Sequence, residues 1–230
     1  MAIKKKNKEN KVRKLVTNLF PKSLIAEQYK TLRTNIQFAS PDREIRSIMI
    51  TSPNPEEGKS TTAGNLAVVF AQQGKKVLLV DADLRKPTVH YTFNVLNTVG
   101  LTTVLVNRIS LANAIVQTNE ENLHVLTSGP IPPNPSELLA SNAMQELMKE
   151  MYQEFDLVIF DTPPVMTVSD AQIIANRCDG LILVISSGKT EIEQALKAKE
   201  VLQSATGKLL GVVLNNQKIK KETNGYYSET

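Results

Sequence analysis

Four consecutive residues, Gly58-Lys59-Ser60-Thr61, have the chemistry to hold a chain of phosphates. They follow an apolar run, "IRSIMIT" (45–51), and open a helical pattern, "STTAGNLAVVFAQQG", that Gly74 closes. Backbone N–H groups at a helix start are unpaired and the helix dipole is positive there, so phosphate oxygens fit. Lys59 can neutralise β and γ phosphates, and the Ser60 hydroxyl can coordinate Mg²⁺. Two later apolar runs end in aspartates: Asp81 and Asp83 in "VLLVDADLRKP", and Asp161 in "LVIFDTPP". Mg²⁺ takes few carboxylates together with water and phosphate oxygens. One aspartate at a strand tip is as readily a helix N-cap, but three beside a G-K-S-T turn are hard to assign to capping alone. The start of the loop departs from G-x-x-x-x-G-K-[ST]. Pro53 stands where the first glycine belongs, and Glu56 and Glu57 lie inside a loop meant for an anion. These two side chains are expected to point away from the phosphates, toward solvent, a neighbouring subunit or a partner.

The elements that must position these residues alternate. "KKVLLVD" (75–81), "LHVLTSG" (123–129), "FDLVIFD" (155–161), "GLILVIS" (180–186) and "LLGVVLN" (209–215) read as further strands. Helical stretches separate several of them, over about 134–152, 168–177 and 189–205, and an amphipathic helix over 24–39 precedes the first strand and breaks at Pro41. This order predicts an α/β fold: a doubly wound, mostly parallel sheet with helices on both faces. Strands that are apolar throughout fit a sheet covered on both sides. "GPIPPNPSELL" (129–139) reads as a rigid loop leading into a helix capped near Ser136.

The 230 residues suit one well-buried domain. No apolar run approaches a membrane span, and no signal-peptide core follows the basic start. The single cysteine, Cys178, rules out an internal disulfide framework and points to a reducing compartment. A cytoplasmic protein is the expectation. The net charge of +4 is unevenly spread: residues 1–22 carry eight bases against Glu9, a charge of +7, so the remainder totals −3. Residues 1–22 thus read as a basic flexible arm, 23–216 as the folded domain and 217–230 as a mobile tail. The arm is either a solvated extension or a surface attracted to anionic lipid. Nucleic acid is not expected, because no recognition motif accompanies it.

Taken together, these motifs resemble the bacterial tyrosine kinases (BY-kinases) of capsule and exopolysaccharide systems, within the wider MinD/ParA-like P-loop ATPases. "TSPNPEEGKST" matches a phosphate loop that lacks an obligatory first glycine, "VLLVDADLRKP" an acid-x-acid-x-Arg motif, and "LVIFDTPP" a Walker B strand. The resemblance implies ATP and Mg²⁺ as cofactors and roles by position. Lys59 would hold the phosphates, and Gly58, Ser60 and Thr61 would complete the cradle, Thr61 at the α-phosphate. Ser60, Asp83 and Asp161 would serve the metal. Asp81 would accept the tyrosine proton. Asn215 and Asn216 are candidates for adenine contact, or form a simple turn after the last strand.

The resemblance also implies partners. "EQYKTLRTNI" (27–36) resembles an E-x-x-R-x-x-R segment that joins subunits into a ring, here Glu27, Lys30 and Arg33 with lysine in the middle place. Lysine keeps the charge but not the bidentate fork. Tyr226 and Tyr227 in the tail would be the acceptors, phosphorylated between subunits. Members of this form work with a separate transmembrane activator, a polysaccharide co-polymerase, which would place the protein at the inner face of the membrane. Two readings compete: a MinD/ParA-like positioning ATPase without a protein acceptor, and a non-enzymatic nucleotide-binding scaffold. Against the first, Ser52, Pro53 and Asn54 stand where those ATPases carry an extra lysine. Against the second, Lys59, Asp81, Asp83 and Asp161 are all present.

Overall fold

The alternation of strands and helices is realised in a computed structural model that describes residues 15–41 and 44–218. Among the described residues, seven strands form one sheet in the order β3-β4-β2-β5-β1-β6-β7. They are β1 (Ser47–Thr51), β2 (Val77–Asp81), β3 (Val116–Gln117), β4 (Leu123–Leu126), β5 (Leu157–Asp161), β6 (Gly180–Ser186) and β7 (Lys208–Asn215). All pair in parallel except β3, which runs antiparallel to β4. The helices are α1 (Val16–Leu19), α2 (Leu24–Phe38), α3 (Lys59–Ala71), α4 (Val89–Phe93), α5 (Leu101–Leu105), α6 (Leu111–Ala114), α7 (Pro135–Ala140), α8 (Asn142–Glu154), α9 (Asp170–Ala175) and α10 (Ile192–Gln203).

Alternate side chains of the central strands enter two separate cores. Ile48, Ile50, Leu79 and Ile159 face α3 and α2, whereas Met49, Val80, Val158 and Phe160 face the side packed by α8, α9 and α10. A strand apolar at every position is what two covered faces require, and each such side chain contributes about 1.5–3 kcal/mol on burial. Register then fixes the chemistry. Asp161 at the end of β5 lies beside Ile50 of β1 on one side and beside Asp81 of β2 on the other. Two carboxylates meet at adjacent strand tips because the strands between which they sit end level.

Several expectations need correction. The helix over 134–152 is two helices: Ser141 (φ −64°, ψ 160°) stops α7 and caps α8, its hydroxyl accepting the Met144 N–H at 3.2 Å. Ser136 does not cap α7. Asn134 holds that place with Pro135 following, and Ser136 is turned to another task described below. β7 is not covered on both faces, since it is the edge strand and Val212 and Leu214 are exposed. The arm cannot extend to residue 22, because α1 sits in the fold. Leu15 and Thr17 are buried, and the Thr17 amide and hydroxyl both donate to Asn65 Oδ1 of α3, at 3.1 and 2.9 Å. Residues 1–14 and the tail beyond 218 lie outside the described residues. The two-residue β3 and the short helices α4, α5 and α6 had no periodic signal long enough to read.

Candidate active site

The carboxyl ends of β1, β2 and β5 open on one cavity of about 490 Å³, a volume within the usual range of ligand sites. One wall is the loop after β1 and the start of α3, Gly58 to Thr61. The facing wall holds Asp83, Arg85, Lys86 and the loop over 163–168.

The phosphate-loop wall is set by backbone geometry. Gly58 has φ 99°, and a Cβ there would fall 2.0 Å from Asn215 Nδ2. Glycine is therefore required twice, for the left-handed turn and for the close approach. Asn215 Nδ2 donates to the Glu57 carbonyl at 2.9 Å, so the end of β7 buttresses the loop from behind. Asn216 donates to Ser186 Oγ at 3.0 Å. Neither asparagine lines the cavity. The two acids divide. Glu56 (φ 62°) is exposed on the cavity rim. Glu57, expected to face outward, is fully buried instead, with 0% exposure. Its carboxylate accepts the Asn54 amide at 2.8 Å and the Thr190 hydroxyl at 2.6 Å. Lys189 meanwhile donates to the Glu56 and Pro55 carbonyls at 3.2 and 3.4 Å. An anion inside an anion-binding loop is tolerated because it binds the loop's own backbone and the turn before α10, leaving the amides at the start of α3 for a ligand.

Lys59 reaches across the strand tips. Its ammonium lies 3.0 Å from Asp83 Oδ2, 3.4 Å from Asp161 Oδ1 and 3.3 Å from Ser60 Oγ. Burial lowers its pKa, but the Asp161 and Asp83 carboxylates raise it by more, so it stays charged. Asp161 is wholly buried and its pKa is raised, by burial first, against the pull of Lys59. Among the described residues its Oδ2 has no hydrogen-bond partner. An orphaned carboxylate oxygen in so buried a place is costly, and beside Ser60 Oγ it fits a hard cation. Among the described residues no set of three or more His, Cys, Asp or Glu converges on a metal.

Asp81 stands behind this pair. It is fully buried, with 0% exposure. Oδ2 accepts the Thr88 and Val89 amides, both at 2.9 Å, at the start of α4, and Oδ1 accepts the Asp83 amide at 3.3 Å. Burial first, and Asp161 beside it second, push its pKa up to about 8. Asp83 lines the cavity and Asp81 does not.

The facing wall carries residues whose role the sequence did not reveal. Arg85 donates through Nε to Asp170 Oδ2 at 2.8 Å and through Nη2 to Asp170 Oδ1 at 3.1 Å. Ser136 adds its hydroxyl to Asp170 Oδ1 at 2.6 Å. Asp170, first residue of α9, is fully buried. Glu57 is missed in the same way. Both acids find their partners across the fold, so no local pattern marks them.

The ring segment is engaged within its own chain. Lys30 pairs with Glu27 at 2.7 Å, and Arg33 Nη1 donates to the Val69 carbonyl near the end of α3 at 2.7 Å. Tyr226 and Tyr227 lie outside the described residues.

Fold and site place the molecule among the P-loop nucleotide-binding proteins. A family model described as an AAA domain matches residues 45–208. The tyrosine-protein kinase YwqD of Bacillus subtilis (strain 168) is 59% identical over 228 residues, covering 99% of this chain and 96% of that protein. The crystal structure of the chimerical protein CapA2B2 superposes with a TM-score of 0.86 at 47% identity, over 88% of this chain and 89% of that one. MinD from Pyrococcus horikoshii OT3, solved with Mg-ADP, gives a TM-score of 0.63 at 27% identity, over 74% of this chain and 69% of that one. The chain belongs to the bacterial tyrosine-protein kinases and shares its α/β fold with MinD. Membership of a kinase family that shares its fold with the ATPase MinD implies ATP use. No helix among the described residues is long and apolar enough to cross a membrane.

Proposed function

We propose that this kinase transfers the γ-phosphoryl group of Mg-ATP to Tyr226 and Tyr227 of a neighbouring copy, and so regulates capsule or exopolysaccharide synthesis together with a transmembrane activator. The observation that carries the reading is the Lys59–Asp83–Asp161 cluster beside an unpartnered Asp161 oxygen, on a cavity with a phosphate loop for one wall. Lys59 exchanges its two carboxylates for phosphate oxygens. Ser60 Oγ and Asp161 would hold Mg²⁺, which would neutralise charge on the transferring phosphoryl group. The phenolic oxygen attacks phosphorus, the bond to the ADP oxygen breaks, and the phenol proton passes to a carboxylate. Asp81, first acid of the acid-x-acid-x-Arg motif, is assigned that proton; it is buried beside the cavity and protonated below about pH 8 in the ligand-free chain, so the role requires it to lose that proton and meet the acceptor once nucleotide is bound. The match to a chimerical CapA2B2 supports an associated partner protein.

The test is phosphosite mapping by mass spectrometry after incubation with Mg-ATP, with and without an activator fragment. Phosphate should appear on Tyr226 and Tyr227, and Lys59→Met should abolish it. Phosphate release without photyrosine, activator present, would indicate a MinD-like ATPase. Phosphotyrosine that persists in the Tyr226→Phe/Tyr227→Phe chain would move the acceptor to Tyr29, Tyr91 or Tyr152.

A further inference from the structure

The Arg85–Asp170 pair lies outside the phosphate loop, yet the fold buries a carboxylate completely to keep it. Asp170 spends both oxygens on Arg85 and on the Ser136 hydroxyl. Breaking such a pair by removing one partner leaves an uncompensated buried charge, so the guanidinium plane is firmly fixed. Its side chain is nevertheless 41% exposed, and it lines the cavity. Nε and Nη2 are used by Asp170 and Ser136, while Nη1 has no hydrogen-bond partner among the described residues. Lys86, also exposed, stands next to it on the same wall.

This wall faces the phosphate loop. In-line transfer puts the attacking oxygen on the side of phosphorus opposite the leaving group, so an acceptor approaches from the wall that carries Arg85. A guanidinium already paired with one carboxylate has little net field left for a triphosphate. It keeps a rigid N–H edge suited to one more anionic oxygen.

We infer that Arg85, fixed by Asp170, is an acceptor-side subsite that binds an anionic group next to the tyrosine being phosphorylated. The inference rests on the kinase reading above. The tail offers two sources of such an anion: the carboxylates of Glu222 and Glu229, and the phosphate on whichever of Tyr226 and Tyr227 is modified first. Asp170 and Ser136 are positioning residues, acting through Arg85.

The experiment uses the full chain as enzyme and an isotope-labelled full chain carrying Lys59→Met as acceptor, with Mg-ATP and activator fragment. Acceptor tails are unchanged, Glu222→Gln/Glu229→Gln, or Tyr226→Phe. With the unaltered enzyme, the double Gln tail should be phosphorylated about tenfold less efficiently, as expected for one lost charge-assisted hydrogen bond. If the anion is instead the neighbouring phosphate, Tyr226→Phe lowers the rate at Tyr227 and the Gln tail does not. Either result supports the subsite provided Arg85→Gln erases the preference. Arg85→Glu should restore transfer to a Glu222→Lys/Glu229→Lys tail, a rescue that a merely structural residue would not give. Asp170→Asn should blunt the preference while leaving the KM for ATP in place, and Arg85→Gln provides the same readout if Asp170→Asn fails to fold. The inference is overturned if tail variants act equally on the unaltered and Arg85→Gln enzymes, or if Arg85→Gln raises the KM for ATP and keeps the preference. Absence of phosphotyrosine on every acceptor overturns the kinase reading and this one with it.

Discussion

The phosphate wall of the cavity is one continuous stretch of chain, residues 55–61, whereas the other wall joins segments around Arg85 and over 163–168, with Arg85 held from behind by Asp170 and Ser136. The first takes its shape from a turn and a helix start. The Glu57 and Asn215 bonds reach it from behind and brace what the turn has already formed. The second exists only because side chains 34 and 85 residues apart in sequence meet. Phosphate binding is therefore a local property that a short motif can carry between folds. Acceptor recognition is a tertiary property of this particular fold. Damage to the first wall should weaken nucleotide binding, and damage to the second should weaken the choice of acceptor.

The largest effect is expected at Asp81, buried behind the strand tips between the two walls. Asp81→Asn should cut phosphotyrosine formation about 10²-fold or more, as for loss of a general base. The same change should stabilise the ligand-free protein. The folded carboxyl titrates at about 8 and the ordinary one near 3.8, so between those values the native chain keeps a proton that the unfolded chain has lost. Stability contributed by this group is present below pH 4 and is lost as pH rises to 8. Asparagine has no such loss, so its advantage should widen over that window and reach at least about 2–4 °C in Tm at pH 8, the equivalent of about 1 kcal/mol. Calorimetry of both proteins from pH 5 to 8 checks this, and a constant gap would show that Asp81 is ionised in the native chain.

Glu57→Gln comes next and isolates the phosphate wall. It exchanges a charged acceptor for a neutral one and should cost about 2 kcal/mol, roughly 4–8 °C in Tm. The KM for ATP should rise about tenfold with acceptor preference unchanged. Were acceptor preference to move as well, the two walls would not be separable. Ser136→Ala is the smallest change and isolates the other wall. It removes one hydroxyl from Asp170 and should cost about 1 kcal/mol, with a few-fold loss in kcat/KM for the acceptor and none in the KM for ATP.

The same contrast explains what the sequence disclosed. Gly58, Lys59 and Ser60 were legible because the motif is contiguous, and Asp81 and Asp161 because each ends an apolar run. The strands themselves stood out because two cores demand apolar residues at both parities. Glu57 was read as outward-facing because a buried acid in a phosphate loop makes sense only once Thr190 is known to lie against it. Asp170 gave no signal, since its partner Arg85 belongs to another motif. Ser141 is legible in principle, as a serine able to cap a helix sits in the middle of 134–152. The exposed β7 followed the apolar pattern of the inner strands, and strand order alone separates edge from centre.

Asn215 both ends the sheet and touches Gly58, so the chain leaves the domain beside its own phosphate loop. Eleven residues further on stands Tyr226, within about 40 Å at full extension. A tether of that length confers an effective concentration on the order of millimolar. If Tyr226 is the acceptor, as proposed, each copy would carry a standing competitor to the acceptor of any neighbouring copy. The balance between self-modification and transfer among copies would then follow how densely the copies are gathered, and assembly itself would control whose tail is marked.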